Sequence, residues 1–175
     1  MMDTDGLRIR DARPDERDAI RALTLQAYAQ YATIMNPRSW AGLSGAIRNA
    51  LDAEGAERIV AERDGRVVGS VMLFPPAADA YGGMAGPASW PELRVLSVAP
   101  EARGAGVGQA LVEECARRAR SMGAAELGLH TSRSMAAAIR MYRRMGFVRA
   151  PEHDFHPDGA ELVEGYRLPL AGSAA

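Results

Sequence analysis

The sequence predicts a single-domain α/β fold with a mixed, mostly antiparallel sheet flanked by helices. Its 175 residues are enough for one domain with a substantial core. Apolar periodicity predicts the element order β-α-α-β-β-β-α-β-α-β-β over residues 1–175. A β-hairpin that precedes two strand–helix units favours a mixed sheet over a doubly wound parallel one.

The N-terminal third predicts one strand and two helices. Leu7–Arg10 alternates apolar and basic residues, which is typical of a strand with one buried face. A helix is expected to begin at Pro14 and a second one after Asn36-Pro37, with Gly55 as its stop. Each helix carries an apolar stripe at helical spacing, comprising Ile20, Leu23, Ala27 and Tyr31 in the first and Trp40, Leu43, Ile47 and Leu51 in the second.

The next stretch predicts a hairpin followed by a long loop. Strands are expected over 58–63 and 66–74, because Asp64-Gly65 between them is the strongest short-range hairpin signal. Pro75-Pro76 ends the second strand. Residues 77–91 are rich in Gly, Pro and aromatic residues, and loops of that length inside a domain are usually functional or mobile.

The central stretch predicts a strand, a glycine-rich turn and an amphipathic helix. Residues 93–98 form the strand, and Pro100 breaks it. The turn holds glycines at alternate positions, so the backbone can approach a ligand closely. The following helix has its inner stripe at Val107, Leu111, Cys115, Ala119 and Met122. Free N–H groups and the positive end of the helix dipole then make an anion site, best suited to pyrophosphate.

Two common phosphate motifs are excluded at this turn. A P-loop needs Gly-Lys-Ser/Thr where Gly108 is followed by Gln109 and Ala110. The dinucleotide fingerprint needs a third glycine where Gln109 stands. The remaining motif is Arg103-x-x-Gly106-x-Gly108. The alternative to a ligand site at this motif is a plain strand–helix connection that its glycines make flexible.

The C-terminal part predicts a further strand, helix and strand pair. The strand covers 126–130, and Ser132 or Ser134 is expected to cap a helix that runs to Met145. Gly146 ends this helix, Phe147-Val148 begins an extended segment, and the last strand covers 161–168. Residues 1–5 and 171–175 are expected to be flexible tails.

Composition limits the possible partners and compartment. The net charge is −1, so no global field attracts nucleic acid or anionic lipid. All 21 basic residues are arginine, which excludes a catalytic lysine. The single cysteine, Cys115, cannot form an internal disulfide, and the N-terminus, Met1-Met2-Asp3-Thr4-Asp5, is acidic and lacks an apolar signal core. We therefore expect a cytoplasmic protein that does not bind a membrane. We expect no metal site either, because the spacing of His153 and His156 matches no known metal motif.

A second motif strengthens the first. Residues 138–147 place Tyr142 four residues before Gly146-Phe147, roughly thirty residues after the glycine turn. Together the two motifs resemble the signatures of the GNAT family of N-acetyltransferases, over about residues 67–148. The resemblance implies an acyl-CoA N-acyltransferase fold and acetyl-CoA as the acyl donor. It also implies which residues bind that donor: Leu96, Ser97 and Val98 hold the pantetheine arm by their backbone, while Arg103 and the backbone of Gly104, Ala105, Gly106, Val107 and Gly108 hold the pyrophosphate.

The resemblance also implies two catalytic residues. Tyr142 would protonate the departing thiolate, and its alternative is a core tyrosine on the helix stripe. Glu92 would accept the proton of the amine, usually through water, and its alternative is a solvated carboxylate at the start of a strand. We expect His130 to be a hydrogen-bonded structural residue. Met135 stands where many members of the family have an asparagine, so that contact is lost, replaced by water, or moved to Ser134 or Ser132.

Three functions are compatible with these residues. The leading one is an acetyl-CoA-dependent N-acetyltransferase that acts on a small amine or a protein N-terminus. A catalytically silent acyl-CoA sensor is the alternative, and an acetyltransferase toxin acting on charged tRNA lacks the basic patch it would need. The acceptor site is expected between the first two helices, the 77–91 loop and residues 151–157. The sequence leaves the acceptor, and the formation of a homodimer, open.

Overall fold

The computed structural model describes residues 6–76 and 89–170, and these form one mixed sheet with helices on both faces. The strands are β1 (Leu7–Asp11), β2 (Glu57–Arg63), β3 (Arg66–Phe74), β4 (Glu92–Val98), β5 (Glu126–Ser132), β6 (Val148–Arg149) and β7 (Val163–Pro169). The helices are α1 (Arg17–Tyr28), α2 (Tyr31–Ile34), α3 (Pro37–Asp52), α4 (Val107–Ser121) and α5 (Ala136–Arg144).

The sheet has the strand order β1-β2-β3-β4-β5-β7-β6. Every neighbouring pair is antiparallel except β4 and β5, which are parallel. The mixed, mostly antiparallel sheet predicted from the sequence is therefore confirmed. Asp64 and Gly65 both have positive φ, +52° and +76°, as a tight hairpin turn between β2 and β3 requires.

Alternate residues of the central strands supply two apolar clusters. In β2, Ile59 and Ala61 belong to the larger cluster, which the inner stripe of α4 covers, while Val60 belongs to a smaller one with Ile47 of α3. Successive strand side chains point to opposite faces, so the two clusters lie on the two sides of the sheet. Helix α4 is thereby fixed on one face and α3 on the other.

Several predicted details need correction. Tyr31 was expected on the inner stripe of the first helix, but it begins α2, because the chain leaves the helix after Tyr28. Met122 was expected on the inner stripe of α4, but it lies past the last helical residue and is 49% exposed. The predicted serine cap of α5 is wrong: Met135 occupies the N-cap, Ser132 belongs to β5, and the Ser134 hydroxyl donates to Glu161 instead. The predicted tails, and residues 77–88 of the predicted long loop, lie outside the described residues.

Candidate active site

The glycine turn before α4 presents bare backbone amides. Gly104 and Gly106 have φ values of +79° and +80°, a region that side-chain-bearing residues rarely adopt. Gly106 is the N-cap of α4, and no side chain of the described residues caps this helix there. The first amides of α4 are therefore available to an anion at the positive end of the helix dipole.

Arg103 stands beside this turn and also reaches the first helix. Its side chain is exposed, and Nη2 donates to the carbonyl oxygen of Ala27, near the end of α1, at 3.0 Å. A guanidinium has five N–H donors, so donors remain for a second acceptor. The residue links the glycine turn to α1 while remaining accessible from solvent.

Strands β4 and β5 separate immediately after their first contact. Within the described ranges, their register is limited to Glu92 opposite Gly128, with the Gly128 amide donating to the Pro91 carbonyl oxygen at 2.9 Å. The register of β4 against β3 shifts beyond Arg94, and Val95 has a φ of +57°. This bulge bends β4 away from β5. The edge of β4 that faces β5 is therefore open to another extended segment.

The predicted pantetheine residues lie on this open part of β4. Leu96 lines the cleft, and its carbonyl oxygen accepts the Tyr28 hydroxyl at 2.9 Å. Ser97 is buried on the opposite side, where its hydroxyl lies 3.4 Å from that of Thr24. Val98 is half-buried and contacts the glycine turn, since a Cβ on Gly108 would lie 3.6 Å from Val98 Cγ2. The open edge thus runs into the glycine turn.

A cleft of about 470 Å³ opens where the strands separate. Its walls come from α3, β4, β5, α5 and the segment that leads into β7. Most of the lining is apolar, with Leu43, Ile47, Phe74, Leu129 and Phe155 among the residues. The polar groups that line it are few and include Tyr28, Ser39, Arg94, His130, Ser132, Tyr142 and Glu161. A mostly apolar cavity with a few placed polar groups is the usual form of a small-molecule site.

Tyr142 projects from α5 into the wall of this cleft. It is 5% exposed, and its ring packs against Phe147 with centroids 5.5 Å apart. Burial is the main reason that its pKa lies above the usual tyrosine value. The hydroxyl therefore stays protonated at neutral pH and can act as a donor. Both interpretations made from the sequence, core residue and cleft-facing donor, describe parts of its environment.

Glu92 is buried in a charged cluster. Its carboxylate is 5% exposed, with Oε2 3.5 Å from Arg94 Nη2 and Oε1 2.7 Å from His130 Nδ1. Arg94 and His130 line the cleft, and the guanidinium of Arg94 also lies 4.1 Å from the centre of the Phe74 ring. Glu92 is thus neither an exposed strand-start carboxylate nor a base open to the cleft by itself.

The hydrogen bonds of His130 show which ring nitrogen carries a proton. Nε2 donates to the carbonyl oxygen of His153 at 2.8 Å, because a carbonyl only accepts. The 2.7 Å contact between Nδ1 and Glu92 then requires one more proton, carried either by the imidazole or by the carboxyl. Glu92 and His130 therefore form one proton-holding unit behind the cleft.

The position at which many members of the family have an asparagine is apolar in this protein. Met135 is buried and lines the cleft, and the Ser134 hydroxyl is engaged with Glu161 at 2.9 Å. Ser132 lines the cleft as well. Of the two serines considered from the sequence, Ser132 is the one that lines the cleft.

Sequence reasoning did not assign the site roles of Tyr28, Arg94 and Glu161. Tyr28 and Arg94 lie on elements whose patterns were recognised, but their side chains meet residues distant in sequence, Leu96 for Tyr28 and Phe74 for Arg94. Glu161 was placed at the start of the last strand, whereas β7 begins at Val163 and Glu161 belongs to the cleft wall. No local sequence signal distinguishes these residues from ordinary surface ones.

No helix in residues 6–76 and 89–170 is long and apolar enough to span a membrane. In the same ranges, no group of three or more His, Cys, Asp or Glu side chains is arranged to hold a metal ion.

Comparisons with known proteins identify relatives. The model of the acetyltransferase (GNAT) family matches residues 19–147. Over 105 residues the chain is 35% identical to an IAA acetyltransferase of Azospirillum brasilense, a match that covers 59% of this chain and 63% of the relative. Over 152 residues it is 33% identical to a mycothiol acetyltransferase of Acidothermus cellulolyticus, covering 82% and 45%. The chain therefore matches less than two thirds of the length of either relative.

Solved structures share the fold. A ribosomal-protein-alanine N-acetyltransferase of Brucella melitensis is 25% identical, with a TM-score of 0.63 over 93% of this chain and 99% of that one. An acetyltransferase of Salmonella typhimurium, solved with its cofactor acetyl-CoA, is 23% identical, with a TM-score of 0.65 over 97% of both chains. With a family model that matches most of the sequence, the chain belongs to the GNAT family of acetyltransferases.

Proposed function

We propose that the protein is an N-acetyltransferase that transfers the acetyl group of acetyl-CoA directly to an amine of a small molecule or a protein N-terminus. The observation that carries this proposal is the open edge of β4, which joins the glycine turn at one end and the Tyr142 cleft at the other. An extended ligand with a phosphate at one end and a thioester at the other fits such a path. The relative of known structure with acetyl-CoA supports the choice of donor.

The donor would be held mainly by the backbone. The amides of Gly104, Ala105, Gly106, Val107 and Gly108 suit the pyrophosphate, and Arg103 adds a charge that can pair with it. The backbone of Leu96, Ser97 and Val98 would pair with the amides of the pantetheine arm as an added strand does. A backbone N–H near Val98 would also polarise the thioester carbonyl.

The proton transfers would fall to two groups. Tyr142 donates its phenolic proton to the departing thiolate, since its raised pKa keeps it protonated. The amine must lose a proton, and Glu92 would accept it on Oε2, the carboxylate oxygen that does not contact His130, while the proton between Oε1 and Nδ1 stays in place. Tyr142 lines the cleft where the acceptor would sit, and Glu92 lies behind it, in contact with Arg94 and His130 of its lining.

Thiol release separates this proposal from a silent acyl-CoA sensor. Incubation with acetyl-CoA and a panel of amines should release free CoA, detected with a thiol-reactive dye. Cys115 adds no background, because it is buried and its pKa is raised to about 12. Binding of acetyl-CoA without thiol release from any amine would favour the sensor.

We further propose a cytoplasmic location, in which the protein acts without nucleic acid or membrane as partner. The chain's single cysteine supports a reducing compartment, and its net charge of −1 gives no attraction to polyanions.

A further inference from the structure

The wall of the cleft beneath α3 carries a carboxylate held in place from two sides. The backbone N–H of Glu161 donates to the Ser39 hydroxyl at 2.9 Å, which ties the segment before β7 to the first turn of α3. The Ser134 hydroxyl donates to Glu161 Oε2 at 2.9 Å. Together these bonds hold the side chain at the cleft, which Glu161 and Ser39 both line.

None of the described residues forms an ion pair with this carboxylate. The basic side chains that line the cleft among the described residues, Arg94 and His130, both contact the carboxylate of Glu92. Among residues 6–76 and 89–170, Glu161 forms no ion pair: Arg133, next to Ser134, lies 3.7 Å from Glu164 instead, and the buried Oε1 of Glu161 receives no hydrogen bond. Glu161 is half-buried with its Oε1 atom fully buried, and a charge partly removed from water gains from an opposite charge beside it.

The surfaces around Glu161 limit what can supply that pairing. Leu43 and Ile47 of α3 and Phe74 of β3 give the same cleft an apolar lining that suits a hydrocarbon chain. The attraction between opposite charges is stronger in a mostly apolar cleft than in bulk water, so a cation that lies near Glu161 is stabilised there.

We propose that Glu161 selects acceptors that carry a second positive charge, joined by an aliphatic chain to the amine that is acetylated. This inference rests on the proposed function and specifies its substrate class. The acceptor is then a diamine or polyamine, with one end near Tyr142 and the other near Glu161. An acceptor with a carboxylate at the second end is repelled.

Three amines of one chain length test the charge preference. Pentylamine, 1,5-diaminopentane and 5-aminopentanoate present a neutral, a positive and a negative second end. For the wild type, kcat/KM should fall in the order diamine, pentylamine, amino acid, with at least a tenfold gap between the first two. The statistical advantage of two equivalent amines is only twofold. Equal values for the diamine and pentylamine, after that correction, would overturn the inference.

Variants locate the preference at Glu161. Glu161→Gln keeps the shape and should reduce the diamine-to-pentylamine ratio to about two. Glu54→Gln removes an exposed carboxylate that follows α3 and should leave the ratio as in the wild type. A Glu161→Gln protein that keeps the tenfold preference would overturn the assignment. If this variant does not fold, the wild-type order still decides on the charge preference.

Binding distinguishes this inference from the proposed function. Calorimetric titration of the three amines into the protein with CoA present needs no turnover, and the same order of affinities is expected. That order without thiol release from any amine would contradict the transferase and leave the charge preference standing. Thiol release from all three amines at similar rates would support the transferase and contradict the role of Glu161.

Discussion

Trp90 packs on Gly128 at the point where β4 and β5 meet beside the candidate site. Replacing Gly128 by alanine, which adds one methyl group, tests the importance of this packing. A Cβ on Gly128 would lie 2.0 Å from Nε1 and 2.5 Å from Cδ1 of Trp90. The indole cannot simply swing away, because it is buried and the His153 ring lies 4.3 Å away on centroids. Gly128→Ala should therefore destabilise the protein by about 1–3 kcal/mol if the ring shifts in place. The cost rises to about 3–5 kcal/mol if the ring leaves its site.

A second glycine gives a control of opposite sign. Gly42 lies inside α3, and a Cβ there meets nothing within 4 Å. Gly42→Ala should stabilise the protein by roughly 0.5–1 kcal/mol, because alanine loses less backbone entropy in a helix. Unfolding by urea gives both free energies, and thermal melting should shift by about 2–4 °C per kcal/mol for a protein of this size.

A double-mutant cycle shows whether the clash is the cause. If it is, Gly128→Ala costs little in a Trp90→Ala background, and the two changes are strongly non-additive. The same effect in both backgrounds, or a Gly128→Ala protein as stable as the wild type, would refute the packing argument. Because Gly128 also bonds to Pro91 at the start of β4, the single variant should lose activity even at temperatures where it stays folded.

Two further predictions concern the site itself. Gly106→Val should abolish the thermal shift produced by CoA, about 2.7 kcal/mol at 100 times the dissociation constant. Gly123→Val, equally strained at a φ of +77° but at the other end of α4, should keep that shift; equal shifts in both variants would place the donor elsewhere. Tyr142→Phe should lower kcat by ~10²–10⁴ with little change in acetyl-CoA affinity, as loss of a general acid does. Tyr166→Phe, which alters a buried tyrosine of β7, should leave kcat as in the wild type, and an unchanged kcat in the Tyr142 variant would make that residue structural.

Local signals in the sequence predicted most of the fold. Asp64-Gly65, Asn36-Pro37 and Gly106 each require a particular backbone geometry, and each stands at the turn or helix start that it predicted. The bulge at Val95 had no such signal, because a β-branched residue is among the least suited to a φ of +57°. Yet this bulge opens the edge of β4, so the feature that forms the site is the one that local preferences oppose.

Long-range contacts explain what the sequence could not show about the site. Ser134 reads locally as a helix cap, but tertiary contact gives its hydroxyl to Glu161, 27 residues away. His130 and Glu92 are 38 residues apart and meet because β4 and β5 touch at Glu92 and Gly128. A pattern along one strand cannot reveal that a carboxylate is buried against an imidazole from the next.

Because Glu92 contacts His130, we expect substitutions of either residue to affect the proposed proton acceptor. A lysine-like amine with a pKa near 10.4 is neutral about once in 10³ molecules at pH 7, whereas an α-amine with a pKa of about 7.7–8.0 is ~10–20% neutral. Only the lysine-like amine needs a base to remove its proton at pH 7. Glu92→Gln should therefore lower kcat/KM by orders of magnitude for an alkylamine and slightly for an α-amine, with the alkylamine deficit shrinking as the pH rises to 9.

If Glu92 accepts the proton only while His130 holds its carboxylate in place, His130→Gln should give a similar loss, and the double variant should lose little more. The matched test is a pH–rate profile of the four proteins with one amine of each class. Additive losses would mean that Glu92 and His130 act separately. A deficit that is equal for both amines and flat with pH would mean that Glu92 holds Arg94 and His130 in place and accepts no proton.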